Sequence, residues 1–254
     1  LTPYAGYDLA SVNFGIAKLD ADRWTQGLRQ DLGVDLGSHV TLRAGADIFN
    51  QTLVGKAELP VISGTQYVSF PGAEPKTETQ RIGRTVPTFD GAVYVEGDFK
   101  FGPLTVTPGL RASHALLGKE TRNAFDPRLW VRFEPSDWTT LKGSIGLYTQ
   151  PPSATDMEPP PFGTPSLVHE KAFQASFGVA QKITDVINVD VTGFYNRRFD
   201  NVVSPGDRIV NEDGSVTQNR SSNSGLGRAY GLEVLLRHEV TKNFFGWLAY
   251  TLSR

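Results

Sequence analysis

The stretch Phe89-Asp90-Gly91-Ala92-Val93-Tyr94-Val95-Glu96-Gly97-Asp98-Phe99-Lys100-Phe101, followed by Gly102-Pro103 and then Leu104-Thr105-Val106-Thr107-Pro108-Gly109-Leu110-Arg111-Ala112-Ser113, decides the fold. Its odd positions from Phe89 to Phe101 are apolar or glycine, and most of its even positions are charged or polar. A period of two is the signature of a β-strand with one apolar and one polar face. The alternation resumes after Gly102-Pro103, with Leu104, Val106, Pro108, Leu110 and Ala112 on one side. Two alternating runs joined by a two-residue turn make an antiparallel hairpin.

Four further hairpins extend outward from this one, each with a three-residue connection. Gly37-Ser38-His39 joins Leu28–Leu36 to Val40–Phe49, and Pro135-Ser136-Asp137 joins Arg128–Glu134 to Trp138–Tyr148. Thr184-Asp185-Val186 joins Ala172–Ile183 to Ile187–Arg198, and Thr241-Lys242-Asn243 joins Ala229–Val240 to Phe244–Ser253. Such connections pair Val34 with Leu42, Val179 with Val191 and Leu236 with Leu248. On the other face they pair Arg29 with Asp47, Ala180 with Asp190, Trp130 with Lys142 and Arg237 with Trp247. Phe177 falls opposite Gly193, where an aromatic ring can cover the bare backbone. A slip of one residue would put every charge on the apolar face, so this register is strongly specified.

Between the hairpins the connections are long. They are Gln51–Pro87, the shorter Leu117–Asp126, the proline-rich Gln150–His169, and Asn201–Gly227, which carries a small hairpin of its own around Asn211-Glu212-Asp213-Gly214. With a first strand near Leu9–Lys18, the count is about 11 up-and-down strands. Short turns alternating with long loops are the layout of a transmembrane β-barrel, with periplasmic turns and extracellular loops. The strands, at roughly 10–14 residues, exceed the usual 5–6 of soluble sheets. Their polar face carries charges of both signs, among them Arg43, Asp47, Glu96, Arg111, Arg128, Arg132, Lys142, Asp190, Glu233 and Arg237. A wide barrel in lipid has a wet, charged lumen and an apolar exterior.

Composition narrows the class. The 254 residues include no cysteine, which removes disulfide frameworks and thiolate metal sites, and a net charge of -2 gives no basic surface for nucleic acid. No apolar run is long enough for a transmembrane helix, whereas a barrel strand needs only about 9–11 alternating residues. His39, His114, His169 and His238 sit on separate elements without metal-ligand spacing. Asn211–Gly214 lacks the ligand spacing of a calcium loop, and no helix follows Gly225-Leu226-Gly227 to make a phosphate site. Neither a catalytic set nor a cofactor is expected. Phe99, Phe101, Phe133, Trp138, Phe244 and Phe245 gather near the short turns, with Tyr195 and Tyr230 near the long loops, as two interfacial belts would.

Several segments resemble TonB-dependent outer-membrane receptors. They are Pro108-Gly109-Leu110-Arg111, Asp126-Pro127-Arg128-Leu129, Leu141–Tyr148 with Gln150-Pro151-Pro152, His169-Glu170-Lys171-Ala172, Gly193-Phe194-Tyr195-Asn196, Gly227–Glu233 and Trp247–Ser253. His169 stands where that family often has proline. The resemblance runs from about Gln26 onward. It implies that residues 1–254 are part of a 22-stranded barrel around a plug domain, in the outer membrane of a Gram-negative bacterium. It implies outer-membrane lipid, a small-molecule ligand and, through a plug absent from this sequence, the TonB complex as partners. The implied function is energised uptake of a scarce, bulky ligand such as a metal–siderophore complex. Two other readings stay open: a non-transporting surface receptor or scaffold with a protein partner, and a soluble carbohydrate-binding β-domain. Tyr148, Gln150, Arg197, Arg198, Arg228 and Tyr230, at strand tops and loops, are the candidate ligand contacts, since arginine with tyrosine suits an anionic or aromatic ligand.

Overall fold

The computed structural model describes residues 1–14, 17–62, 77–117, 120–153, 156–157, 164–203, 208–210, 216–218 and 221–254. Thirteen strands follow in chain order: β1 (Thr2–Phe14), β2 (Ala17–Leu36), β3 (Val40–Ile62), β4 (Thr77–Phe101), β5 (Leu104–Leu117), β6 (Glu120–Ser136), β7 (Thr139–Gln150), β8 (Glu170–Lys182), β9 (Ile187–Val203), β10 (Arg208–Val210), β11 (Val216–Gln218), β12 (Ser222–His238) and β13 (Gly246–Ser253). Eleven of them form one antiparallel up-and-down sheet in the order β1-β2-β3-β4-β5-β6-β7-β8-β9-β12-β13, while β10 and β11 pair with each other. The sheet is open between β1 and β13.

Register follows the hydrophobic pattern. Leu36 pairs with Val40 and Arg29 with Asp47, Val179 with Val191 and Ala180 with Asp190, and Leu236 with Leu248 and Arg237 with Trp247. Directly opposed residues share a face, so the ladders can be followed across the sheet. One ladder runs Leu36, Val40, Phe99, Val106, Val131, Gly143, Phe177, Gly193, Leu232, Leu252, all apolar or glycine. The adjacent ladder on the other face runs Lys100, Thr105, Arg132, Lys142, Gly178, Thr192, Glu233, Thr251, all polar or glycine.

Four details differ from the sequence expectation. The first strand is not Leu9–Lys18, because that stretch spans the end of β1 and the start of β2; both arms alternate, so periodicity alone does not mark where one ends and the other begins. Residues 51–62 and 77–87, read as a long connection, pair with each other as continuations of β3 and β4. Trp130 faces Ser144 rather than Lys142, and Arg132 faces Lys142, because β6 runs on to Ser136, pairs it with Thr139, and absorbs an irregularity between Phe133 and Ser136. This shift is by two residues, so every side chain keeps its face. Lastly, Phe177 opposes Gly193, but its ring leaves that glycine bare: no side-chain atom lies within 4 Å of the position a Cβ would take there. The expected hairpin within 201–227 is formed by β10 and β11, its turn residues lying outside the described ones.

The two faces are treated differently by the rest of the chain. On the apolar face Val93, Val95, Leu110, Ile145, Phe177, Leu232 and Leu236 are exposed. On the polar face two described residues between β7 and β8 lie against the wall, Leu167 at Arg122 and His169 beside Asp90 and Asp126, and both are buried together with Ala92, Ala115, Ala124 and Asp126 of β4–β6. The polar face is therefore the interior. An exposed apolar exterior and a charged interior invert the plan of a soluble barrel.

Candidate functional site

Interior charges neutralise one another across strands. Asp47 on β3 accepts from Arg29 Nε on β2 at 2.6 Å and from Arg111 Nη1 on β5 at 3.0 Å. Arg43 on β3 donates Nε to Glu96 at 2.7 Å and both Nη atoms to Asp98 at 2.9 Å. Lys142 on β7 reaches Asp190 on β9. Two glycines make such reaches possible. Lys142 crosses β8 over Gly178, where a Cβ would sit 2.9 Å from Lys142 Cε. Tyr94 crosses β3 over Gly45, where a Cβ would sit 2.4 Å from its ring, and donates to Asp31 on β2. Each water-exposed pair contributes only ~0–1 kcal/mol. Their chief effect is to line the interior with satisfied charge while the backbone ladder holds the wall.

At the end bearing the long connections, two interior hollows open. The first, about 280 Å³, is bounded by Arg29, Asp47, Asp90, Arg111, Asp126 and His169. Part of its roof is His169, the end of the segment 164–169, which is held from both sides. Arg122 on β6 donates to the carbonyls of Pro165 at 2.6 Å and Leu167 at 2.8 Å. Asn223 on β12 accepts from Val168 N at 2.8 Å and donates to Val168 O at 3.0 Å. Burial holds the His169 imidazole below its ordinary pKa, partly offset by a hydrogen bond to the Asn123 backbone. Asp126 Oδ2 accepts from Thr149 at 3.2 Å, and its Oδ1 has no partner among the described residues.

The second hollow, about 310 Å³, is lined by Tyr148, Gln150, Glu170, Ala172, Arg198 and Asn201. Tyr148 opposes Ala172 and Ala172 opposes Arg198, so these side chains share the interior face. Arg128 packs over the Tyr148 ring at 5.7 Å and fixes its direction. Of the six residues expected to contact a ligand, Tyr148, Gln150 and Arg198 thus converge. Arg197, Arg228 and Tyr230 do not join them. Arg197 opposes Arg228, and Tyr195 opposes Tyr230, on the face of Phe173 and Ala175, which is the exterior. Sequence reading missed Asp90, Arg111, Asp126 and His169 as a group, since they come from three strands and a loop. Of the remaining histidines, His39 bonds Ser38, His114 bonds Asn123, and His238 packs edge-on against Phe244.

An up-and-down sheet with an apolar outside, exposed aromatics Phe101, Trp138, Phe244 and Phe245 at the short-turn end and a charged, partly roofed inside defines a segment of an outer-membrane β-barrel. Residues 2–254 match the family described as TonB dependent receptor-like, beta-barrel. The chain belongs to that family, and its place is the outer membrane of a Gram-negative bacterium. No curated protein matches it in sequence. Solved structures share its fold. The FrpB iron transporter from Neisseria meningitidis (F3-3 variant) superposes with a TM-score of 0.66 at 14% identity, over 93% of this chain and 36% of that one. The outer membrane transporter YddB from Escherichia coli gives 0.67 at 11%, over 93% and 34%. The ferric enterobactin receptor PfeA gives 0.64 at 18%, over 98% and 41%. This chain therefore spans well under half the length of these relatives.

Proposed function

We propose that the receptor to which this barrel segment belongs imports a bulky metal chelate across the outer membrane, with energy delivered through TonB. The observation that carries this reading is the interior hollow where Tyr148, Gln150 and Arg198 converge beside Glu170 and Asn201. Arginine and tyrosine side by side offer a cation and an aromatic face to an anionic or aromatic chelate. In support, the fold is shared with proteins described as iron and copper transporters and a ferric enterobactin receptor. The segment supplies wall and vestibule, and no catalytic group. In the test, ferric and cupric chelates are titrated into the full-length receptor and into its Y148A/R198A variant. Losing a hydrogen bond to a charged group and an aromatic contact should weaken binding about 10- to 100-fold. Chelates that bind neither protein, or both equally, would overturn the assignment.

The same reading places the long connections outside the cell. With no native thiol in this segment, single cysteines at Ser222 and Ser136 report the two ends. A membrane-impermeant maleimide on intact cells should label Ser222→Cys of the full-length receptor and spare Ser136→Cys until the outer membrane is opened. The opposite pattern would invert the assignment.

A further inference from the structure

We infer that the first hollow is a subsite for an organic cation, an ammonium or amidinium group carried as one arm of the receptor's ligand. The charges of the hollow do not balance. Asp47, Asp90 and Asp126 face two guanidinium groups, Arg29 and Arg111, and both of those donate to Asp47. Arg111 stands directly opposite Asp126, yet it turns to Asp47 on the other side. Two further cations act on His169, Arg122 and Lys171. Arg122 is taken by the carbonyls of Pro165 and Leu167 and by Glu120, and Lys171 by Asp200. Burial keeps His169 uncharged at neutral pH. Asp90 and Asp126 are therefore left without a hydrogen-bonded cation among the described residues.

Asp126 turns that imbalance into a recognition site. It is only 5% exposed. Its Oδ2 accepts from Thr149, and its buried Oδ1 accepts from nothing among the described residues. A buried carboxylate oxygen without a donor costs free energy, and a donor that brings a positive charge offsets the most. Asp90, half-buried on the same interior face, accepts no hydrogen bond among the described residues either.

The walls decide what kind of cation. Among the described residues no three acidic or histidine side chains converge as a metal ion would require. Two aromatic rings stand in the hollow instead. Tyr4 on β1 crosses β2 over Gly27, where a Cβ would occupy its ring, and stacks with Phe49 on β3 at 6.2 Å between centroids. Both rings line the hollow. Carboxylates beside aromatic faces suit an organic ammonium or amidinium. At about 280 Å³ the hollow falls below the ~300–1,000 Å³ of sites for drug-sized molecules, which is room for an arm and not for a whole bulky ligand. Thr149 lines both this hollow and the one holding Tyr148 and Arg198, so the two adjoin. Assigning the arm to an imported chelate rests on the function proposed above, whereas recognition of the cation itself does not.

The test uses the full-length receptor in neutral detergent and two probes, benzylammonium and its uncharged isostere benzyl alcohol. Saturation-transfer NMR of each probe, counted above receptor-free micelles, gives the affinity. Wild type should bind the cation about tenfold more tightly than the alcohol, the scale of one hydrogen bond to a charged group. D90N/D126N keeps the shape of the wall and should lose that preference. Equal binding of the two probes by wild type overturns the subsite without any variant having to fold. A preference that survives in D90N/D126N overturns it too, by placing the cation elsewhere. Displacement of benzylammonium by magnesium, but not by sodium at matched ionic strength, would give the acids to a metal ion and also overturn it. The chelate titrations are run on the same preparation. Chelates that fail to bind while the cation preference stands remove the import reading alone, and chelates that bind without any cation preference remove the subsite alone.

Discussion

Val191→Arg in the full-length receptor is expected to destabilise the folded barrel by about 2–4 kcal/mol, a roughly 30- to 1,000-fold shift in the folding equilibrium. Val191 lies midway between Ile187 at the short-turn end of β9 and Tyr195 at the upper interface. It is flanked on its ladder by Val179 and Val234, so a guanidinium there has no polar residue directly opposite it. The control is one residue away. Thr192 is on the interior ladder between Gly178 and Glu233, and donates to Asp190 at 3.0 Å. Thr192→Arg adds its charge to a wet, mixed-sign surface and should cost no more than ~1 kcal/mol, the scale of an exposed pair. Urea titrations of refolding into lipid vesicles would compare the two. Equal costs, or a larger one at Thr192, would mean that the faces are assigned the wrong way round.

That contrast was legible from the sequence because the side-chain period in a strand is two. Once Leu36 and Val40 are tied together by a three-residue turn, the pairing of Arg29 with Asp47 follows by counting, and the structure has it. Counting is also insensitive to small errors. The β6–β7 connection differs from the expected one, yet the partner shift of two leaves Trp130 and Arg132 inside. The same rule divides the six candidate ligand contacts between the two faces. Arg197 and Arg198 are consecutive in one strand, so they cannot both face the interior. Choosing residues by nearness to the loops overlooked this. Strand ends were poorly legible for another reason. Residues 51–62 and 77–87 pair in register, but beyond the membrane neither face needs to be apolar, and the alternation that marks a strand fades. The roof over the first hollow had no sequence signature at all. Its latches are Arg122 and Asn223 bound to main-chain carbonyls and an amide of residues 165–168, and any residue supplies those.

In cells lacking TonB, uptake of a bound ferric chelate by the full-length receptor is expected to fall to background while chelate binding at the surface stays at the wild-type level. The expectation rests on the proposed import function and on the width of the wall. Eleven strands already form an open sheet, and a barrel of about 22 strands is too wide for strand side chains alone to fill. The segment 164–169, tied to β6 by Arg122 and to β12 by Asn223, is only six residues long. An unfilled lumen lined by Arg29, Asp47, Arg111 and Asp190 would pass water and ions, so the proposed importer needs a filling for it. Displacing a filling that ordinarily seals the lumen takes work. On the proposed import reading that energy comes from a partner reaching across the periplasm. Binding needs only the vestibule, where Tyr148, Gln150 and Arg198 are held by strand pairing that is indifferent to TonB. Radiolabelled ferric chelate counted on chilled cells gives binding, and its accumulation in warmed cells gives uptake, each with and without TonB. Undiminished accumulation without TonB would make the segment the wall of a passive channel, and loss of binding together with uptake would place the energy step before recognition.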